Sequence, residues 1–188
     1  IAARQPFAGF VVFHPFVPII EIGRKRQRHF LLPGIAQLGN RIFERRFTAA
    51  IFGERRVGAG PDDALLGHLP MLLHKDPEKA LVVGLGTGMT LGAVSVHPEL
   101  KELTLAEIEP RVTGAARTFG TYNNHVLDDP KLRIIYNDGR NYLLTTKERF
   151  DVITADPIHP WTQGSGYLYT SEYFRLASER LLPGGIMC

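Results

Sequence analysis

From residue 80 onward the apolar positions fall into two kinds of run that alternate along the chain. ALVVG (Ala80 to Gly84), LTLAE (Leu103 to Glu107), LRIIY (Leu132 to Tyr136) and FDVITA (Phe150 to Ala155) are short and rich in β-branched residues, the mark of buried strands. Between them the pattern turns helical over Gly88 to Val96, over Pro110 to Phe119 with proline in the first turn, and over Asn141 to Lys147. ALLGHLPMLLH (Ala64 to His74) places leucines at helical spacing behind Asp62 or Asp63 as the cap. Ser171 to Leu182 predicts another helix, stopped by PGG, and IMC begins a further strand. Strands alternating with helices predict an α/β fold with a parallel sheet covered on both faces. Ligands of such sheets bind outside the carboxyl ends of the strands.

Before GAGPDD (Gly58 to Asp63) the periodicity is weak, with scattered prolines and arginines, so two parts are expected: an N-terminal segment, 1–60, of undetermined structure, and a domain over 61–188. The sequence stops inside its last strand, and the domain is expected to be incomplete at its C-terminus, part of a longer protein. Charge separates the parts further. The net +3 hides ten Lys/Arg against three Asp/Glu in residues 1–60, clustered at Arg24 to His29, Arg45-Arg46 and Arg55-Arg56. These read first as solvated faces, so nucleic acid is not the expected partner. FAGFVVFHPFVPIIEIG is broken by prolines and a histidine and gives neither a membrane span nor a signal peptide, although the full-length protein can carry a span elsewhere. At 44% hydrophobic and 22% charged the composition is that of a soluble globular protein. One cysteine, Cys188, excludes a disulfide framework and a cysteine-rich metal site, and a cytoplasmic location is expected.

The chemistry gathers at the strand ends. GLGTG (Gly84, Leu85, Gly86, Thr87, Gly88) joins the first strand to its helix; glycines there permit positive φ and close approach of a ligand. Glu107 ends the second strand about 20 residues later, where an acid accepts hydrogen bonds from ribose hydroxyls. Asp138, followed by Gly139 in NDGRNYL, lies after the third strand, where it can meet the exocyclic amine of an adenine or cap a helix. Together the three point to an adenosine-containing ligand. Met89 stands where a dinucleotide fingerprint has its third glycine, which favours a sulfonium nucleoside over NAD. Asp156, in TADPIHPW, follows the fourth strand. A carboxylate there can hold a cationic amine, which titrates near pH ~10, and take its proton. Tyr169 can share the amine or orient Asp156, and Trp161 and Tyr167 can wall an aliphatic chain.

LLGHLPMLLHKDP, ALVVGLGTGMT, LTLAEIEP, VLDDPKLRIIYNDGRNYL, FDVITADPIHPW, GYLYTSEYF and LLPGGI, in this order, resemble the polyamine aminopropyltransferases (spermidine synthases), and more closely the spermidine-synthase-like domains fused to membrane segments. The resemblance runs from Asp62 to Cys188. It implies a Rossmann-like methyltransferase-type fold and transfer of an aminopropyl group from decarboxylated S-adenosylmethionine to an amine acceptor, with no metal. It assigns Gly84, Gly86, Thr87, Gly88, Glu107, Asp138 and Gly139 to the nucleoside and Asp156 to catalysis, and it suggests a homodimer.

The chain departs from that family where Thr87 replaces an aspartate in the glycine turn and His159 replaces a second aspartate three residues after Asp156. PDDALLG likewise replaces the upstream acidic and histidine motif. Loss of a cation-binding charge puts putrescine as acceptor in doubt, and His159 is a candidate base for a different one. Two other readings use the same residues: a methyltransferase dependent on S-adenosylmethionine, for which Asp156-Pro157 is the relevant dipeptide, and a non-catalytic nucleoside-binding fragment.

Overall fold

The computed structural model describes residues 61–155 and 166–188. The basic clusters of the first 60 residues lie outside the described residues, as do Asp156, His159 and Trp161. The elements run α1 (Pro61–Leu73), β1 (Lys79–Val83), α2 (Met89–Ser95), β2 (Glu102–Glu107), α3 (Arg111–Arg117), a 3-10 turn (Val126–Asp128), β3 (Leu132–Tyr136), α4 (Gly139–Thr145), β4 (Phe150–Ala155), a 3-10 turn (Gly166–Tyr169), α5 (Ser171–Glu179) and β5 (Leu181–Met187). The five strands are parallel, in the order β3-β2-β1-β4-β5. The chain works outward from β1 through β2 to β3, then returns to pair β4 on the other side of β1. That reversal leaves a crevice at the carboxyl end of the central strand.

Strand alternation sends neighbouring residues to opposite faces, and here both faces are buried. Leu81, Val83 and Ile153 pack with Tyr142 and Leu143 of α4 and Tyr173, Leu176 and Ala177 of α5. Ala80, Val82, Leu103, Leu105 and Val152 pack with Met71 of α1, Leu91 and Val94 of α2 and Ala116 of α3. Each fully buried Leu, Ile or Phe contributes about 1.5–3 kcal/mol. This is why the strands read as apolar runs and not as alternating ones.

Helix α1 is fixed by contacts that need particular residues. Pro70 lies inside the helix and has no N–H for the Leu66 carbonyl. The Thr154 hydroxyl, at the end of β4, donates to that carbonyl at 3.1 Å instead. A Cβ on Gly67 would lie 2.6 Å from the Ala93 Cβ and from the Thr90 carbonyl oxygen, so the absent side chain sets how closely α1 crosses α2. His68 and His97, both buried, share a ring nitrogen contact of 3.0 Å across the same junction.

Three expectations are corrected. Helix α1 begins at Pro61, so Asp62 and Asp63 fall in its first turn and not at its cap; proline is pre-shaped for that first position. Helix α5 ends at Glu179, and β5 runs from Leu181 through PGG, where the stop was expected. The strand tolerates the motif because Gly184 takes φ 84° and the pairing with β4 shifts register between Phe150 and Val152. Helix α4 starts at Gly139 and not at Asn141, because Asp138 caps it. Among the described residues, no helix is long and apolar enough to cross a membrane.

Candidate functional site

Parallel pairing brings the carboxyl ends of four strands to one edge. Val83 is opposite Ala106 on one side and Ala155 on the other, and Glu107 is opposite Tyr136. The residues that follow are the glycine turn after β1, Glu107 at the end of β2, Asp138 two residues past β3, and Asp156 immediately after β4 in sequence.

The glycine turn takes positive φ at every second residue: 86° at Gly84, 51° at Gly86 and 84° at Gly88. Only glycine takes these angles at little cost, because a Cβ would crowd the following carbonyl oxygen. The three glycines nonetheless differ in their surroundings. Gly86 is exposed, and nothing lies within 4 Å of where its Cβ would be, so it is the position at which a ligand can approach the backbone. Gly88 is buried, its missing Cβ 3.0 Å from Asn123 Nδ2. The turn closes on itself through the Gly88 N–H, which donates to the Leu85 carbonyl at 2.7 Å. Thr87 is half-buried, and its carbonyl accepts from Asn123 Nδ2 at 2.9 Å.

Glu107 is only 6% exposed, and both of its oxygens are used. Oε2 accepts from the Leu85 N–H at 2.7 Å, joining β2 to the glycine turn, and Oε1 accepts from the Glu109 N–H at 2.8 Å. One acceptor lone pair per oxygen is thereby spent, and one on each remains for a pair of neighbouring hydroxyls. The other glutamate of AEIEP is committed elsewhere. Glu109 makes a two-pronged bond to the Arg111 guanidinium at 2.8 Å through each oxygen, and that guanidinium pulls its carboxyl down to about 2. Ile108 between them is 70% exposed beside the same edge, an apolar surface of the kind a base can cover.

Asp138 is exposed and caps α4, accepting from the Asn141 N–H at 2.8 Å through Oδ1. Both sequence alternatives for it thus fall on one side chain, since a capping carboxylate keeps a second oxygen for another donor. Gly139 has a packing reason of its own: a Cβ there would sit 2.3 Å from Val83 Cγ1, so glycine lets α4 close on β1. Asp138 also borders an open groove between α4 and α5, with Arg140, Leu144, Glu172 and Arg175. Tyr169 is half-buried in the 3-10 turn ahead of α5, and Tyr167 in the same turn is 64% exposed.

The structure therefore brings Gly84, Gly86, Thr87, Gly88, Glu107 and Asp138 to one sheet edge, with Gly139 behind them in the packing. Among the described residues no group of three His, Cys, Asp or Glu side chains is placed to hold a metal ion. Asn123, in the loop after α3, touches the turn and drew no attention in the sequence. The only local signal was the pair Asn123-Asn124, since asparagine tolerates left-handed backbone, and Asn124 indeed has φ 57°.

Comparison with known proteins places these features in context. The family model for the spermine/spermidine synthase domain matches residues 62–188. The polyamine aminopropyltransferase of Thermotoga petrophila is 34% identical over 122 residues, covering 65% of this chain and 41% of that protein. The spermidine synthase of Dictyostelium discoideum is 36% identical over 124 residues, covering 66% and 43%. The chain thus spans less than half the length of either relative. Among solved structures, a spermidine synthase in complex with the transition state analogue AdoDATO matches with a TM-score of 0.60 at 31% identity, over 69% of this chain and 43% of that one. Human methyltransferase-like protein 13 in complex with SAH matches with a TM-score of 0.50 at 22% identity, over 71% and 63%, a likeness of fold alone.

Proposed function

The chain belongs to the spermine/spermidine synthase family, and from that premise we propose that it is the nucleoside-binding and catalytic part of an enzyme transferring an aminopropyl group from decarboxylated S-adenosylmethionine to an amine acceptor. The observation that carries this reading is the junction of the glycine turn with Glu107, where the Leu85 N–H to Glu107 Oε2 bond fixes a carboxylate beside the open Gly86. In the proposal Glu107 takes the two ribose hydroxyls, Asp138 accepts from the adenine amine, and the turn over Gly84, Gly86, Thr87 and Gly88 lies along the nucleoside. Similarity to a spermidine synthase bound to a transition state analogue supports it.

The reaction assigns Asp156 two tasks. The acceptor arrives as an ammonium ion and must lose a proton before its nitrogen has a lone pair to use. Asp156 holds that cation in line and takes the proton. The nitrogen then forms a bond to the aminopropyl carbon next to sulfur, the carbon–sulfur bond breaks with its electron pair going to sulfur, and the neutral thioether nucleoside leaves. A bond from Tyr169 steadies the amine or Asp156, and Tyr167 and Trp161 flank its carbon chain. With His159 where the family has a second aspartate, and PDDALLG in place of the upstream acidic and histidine motif, the acceptor meets fewer negative charges, so an amine less highly charged than a diamine is the expected substrate.

Calorimetric titration with decarboxylated S-adenosylmethionine and, separately, S-adenosylmethionine tests the reading. Preference for the decarboxylated form upholds it, preference for S-adenosylmethionine moves it to methyl transfer, and binding without turnover makes the domain a nucleoside-binding module. Asp156→Asn is expected to lower transfer by about three orders of magnitude, as loss of a general base does, with nucleoside affinity kept within about twofold. Equal loss of both would make Asp156 structural.

A further inference from the structure

We propose that Asn123 is a positioning residue that holds the glycine turn in its ligand-ready shape. The turn has an unusual need for such a holder. Three of its five residues are glycines with positive φ, and glycine loses the most backbone freedom when it is ordered. Glu107 fixes the start of the turn through the Leu85 N–H. Asn123 fixes the end: its Nδ2 donates to the Thr87 carbonyl at 2.9 Å and to the Ala116 carbonyl, at the end of α3, also at 2.9 Å. Both protons of one amide are used, tying residues 36 and 7 positions away, and Asn123 is 1% exposed. The Thr87 carbonyl is thus drawn toward Asn123, and the N–H of the same peptide, that of Gly88, donates to Leu85.

The surroundings show that this placement is enforced. A Cβ on Gly88 would lie 3.0 Å from Asn123 Nδ2, and one on Gly92 would lie 2.3 Å from the Asn123 carbonyl oxygen. Both glycines let the asparagine in. Behind it, Asn124 and His125 hold φ of 57° and 52°, a left-handed backbone that is uncommon outside glycine and that asparagine and histidine adopt more readily than most residues. They are held by the His125 N–H to Gly120 carbonyl bond at 2.9 Å and by Asn124 Nδ2 to the Gly92 carbonyl at 3.2 Å. A left-handed loop delivers one buried amide to the glycine turn. No atom of Asn123 needs to touch the nucleoside for this role, which rests on the proposed function for its ligand and on the hydrogen bonds of the turn for its mechanism.

The test compares Asn123→Ala and the isosteric Asn123→Asp with Leu100→Ala, a buried position ahead of β2, at the opposite end of that strand from Glu107, that supplies a similar loss of stability. Amide hydrogen exchange at Gly86, Thr87 and Gly88 without ligand is expected to speed up about tenfold or more in the Asn123 variants and not in Leu100→Ala. The dissociation constant for decarboxylated S-adenosylmethionine is expected to rise about tenfold to hundredfold, the worth of one or two buried hydrogen bonds, with the acceptor KM within about twofold. Unchanged exchange in the turn overturns the proposal, as does an equal loss of affinity in Leu100→Ala. Failure of both Asn123 variants to fold also overturns it, because the residue is then structural. If the unaltered protein binds no nucleoside, the functional reading falls and the exchange rates alone decide the role of Asn123.

Discussion

Two carboxylates sit at opposite ends of the central strand and do similar work there. At its start, Asp151 Oδ2 accepts from the N–H groups of Glu78 and Lys79 at 3.0 and 2.9 Å, and Oδ1 stands 4.0 Å from His74 Nε2. At its end, Glu107 accepts from the N–H groups of Leu85 and Glu109. Counting hydrogen bonds makes them equal. Their distribution does not: Asp151 places both backbone bonds on one oxygen and meets His74, just past α1, with the other, whereas Glu107 places one on each and lies beside an exposed glycine. The first is a knot between β4 and the loop entering β1. The second is held rigid by the fold while keeping symmetric acceptor capacity toward the open edge.

The comparison breaks most readily at Glu107. Glu107→Gln keeps the volume but puts an amide N–H₂ among donors, and we expect nucleoside affinity to fall about tenfold to hundredfold, as for loss of charge-assisted bonds. Asp151→Ala is the counterpart. It orphans two half-buried backbone donors and is expected to cost about 2–3 kcal/mol in denaturant unfolding while leaving nucleoside affinity within about twofold. If Asp151→Ala weakens binding as much as Glu107→Gln, the two ends are not distinct and the assignment of Glu107 to the ribose fails.

The same contrast explains what the sequence disclosed. Glu107 was legible because it follows a strand and a glycine turn at a spacing that many nucleoside sites share. Asp151 was not, although it stands inside the quoted FDVITA, because its partners are more than seventy residues away and no local pattern announces a side chain bonding to distant backbone. Asn123 and Thr154 escaped for the same reason. The strands and their order of alternation were legible because burial on both faces leaves long apolar runs. The ends of α1 and β5 were misjudged where proline chemistry was ambiguous: Pro61 opens a helix that Asp62 was expected to cap, and Pro183 lies within a strand it was expected to precede.

A buried pair of polar groups extends the comparison to pH. His68 meets His97 across the α1–α2 junction, and the contact needs one ring to donate and the other to accept, so the pair cannot both be charged. Burial lowers the His68 pKa below its ordinary 6.5. Below pH 6.5 the unfolded chain therefore takes up a proton that the folded protein resists. Stability is full above that pH and declines as pH drops through 6.5 toward the folded value. Glu148, pushed up by burial but pulled lower overall by Arg133 and Lys79, acts only in the carboxylate range, so its contribution is lost at more acid pH. Urea unfolding at pH 7.5 and 5.5 should show a loss of about 1 kcal/mol, abolished in His68→Gln. A loss that persists in the variant would place the titrating group elsewhere.

At the end of this series stands a polar group with no hydrogen-bond partner among the described residues. The Tyr173 hydroxyl is buried in α5 against the sheet and makes no hydrogen bond among the described residues. Burial, and secondarily the charge of Asp138, push its pKa well above the ordinary range, so it stays protonated. Removing an unsatisfied buried hydroxyl spares its desolvation cost and leaves the ring's packing in place. Tyr173→Phe is accordingly expected to raise stability by about 1 kcal/mol, a few degrees in Tm, which a thermal melt would resolve. Nucleoside affinity should stay within about twofold. A drop in affinity instead would mean that the hydroxyl finds its partner when the site is filled.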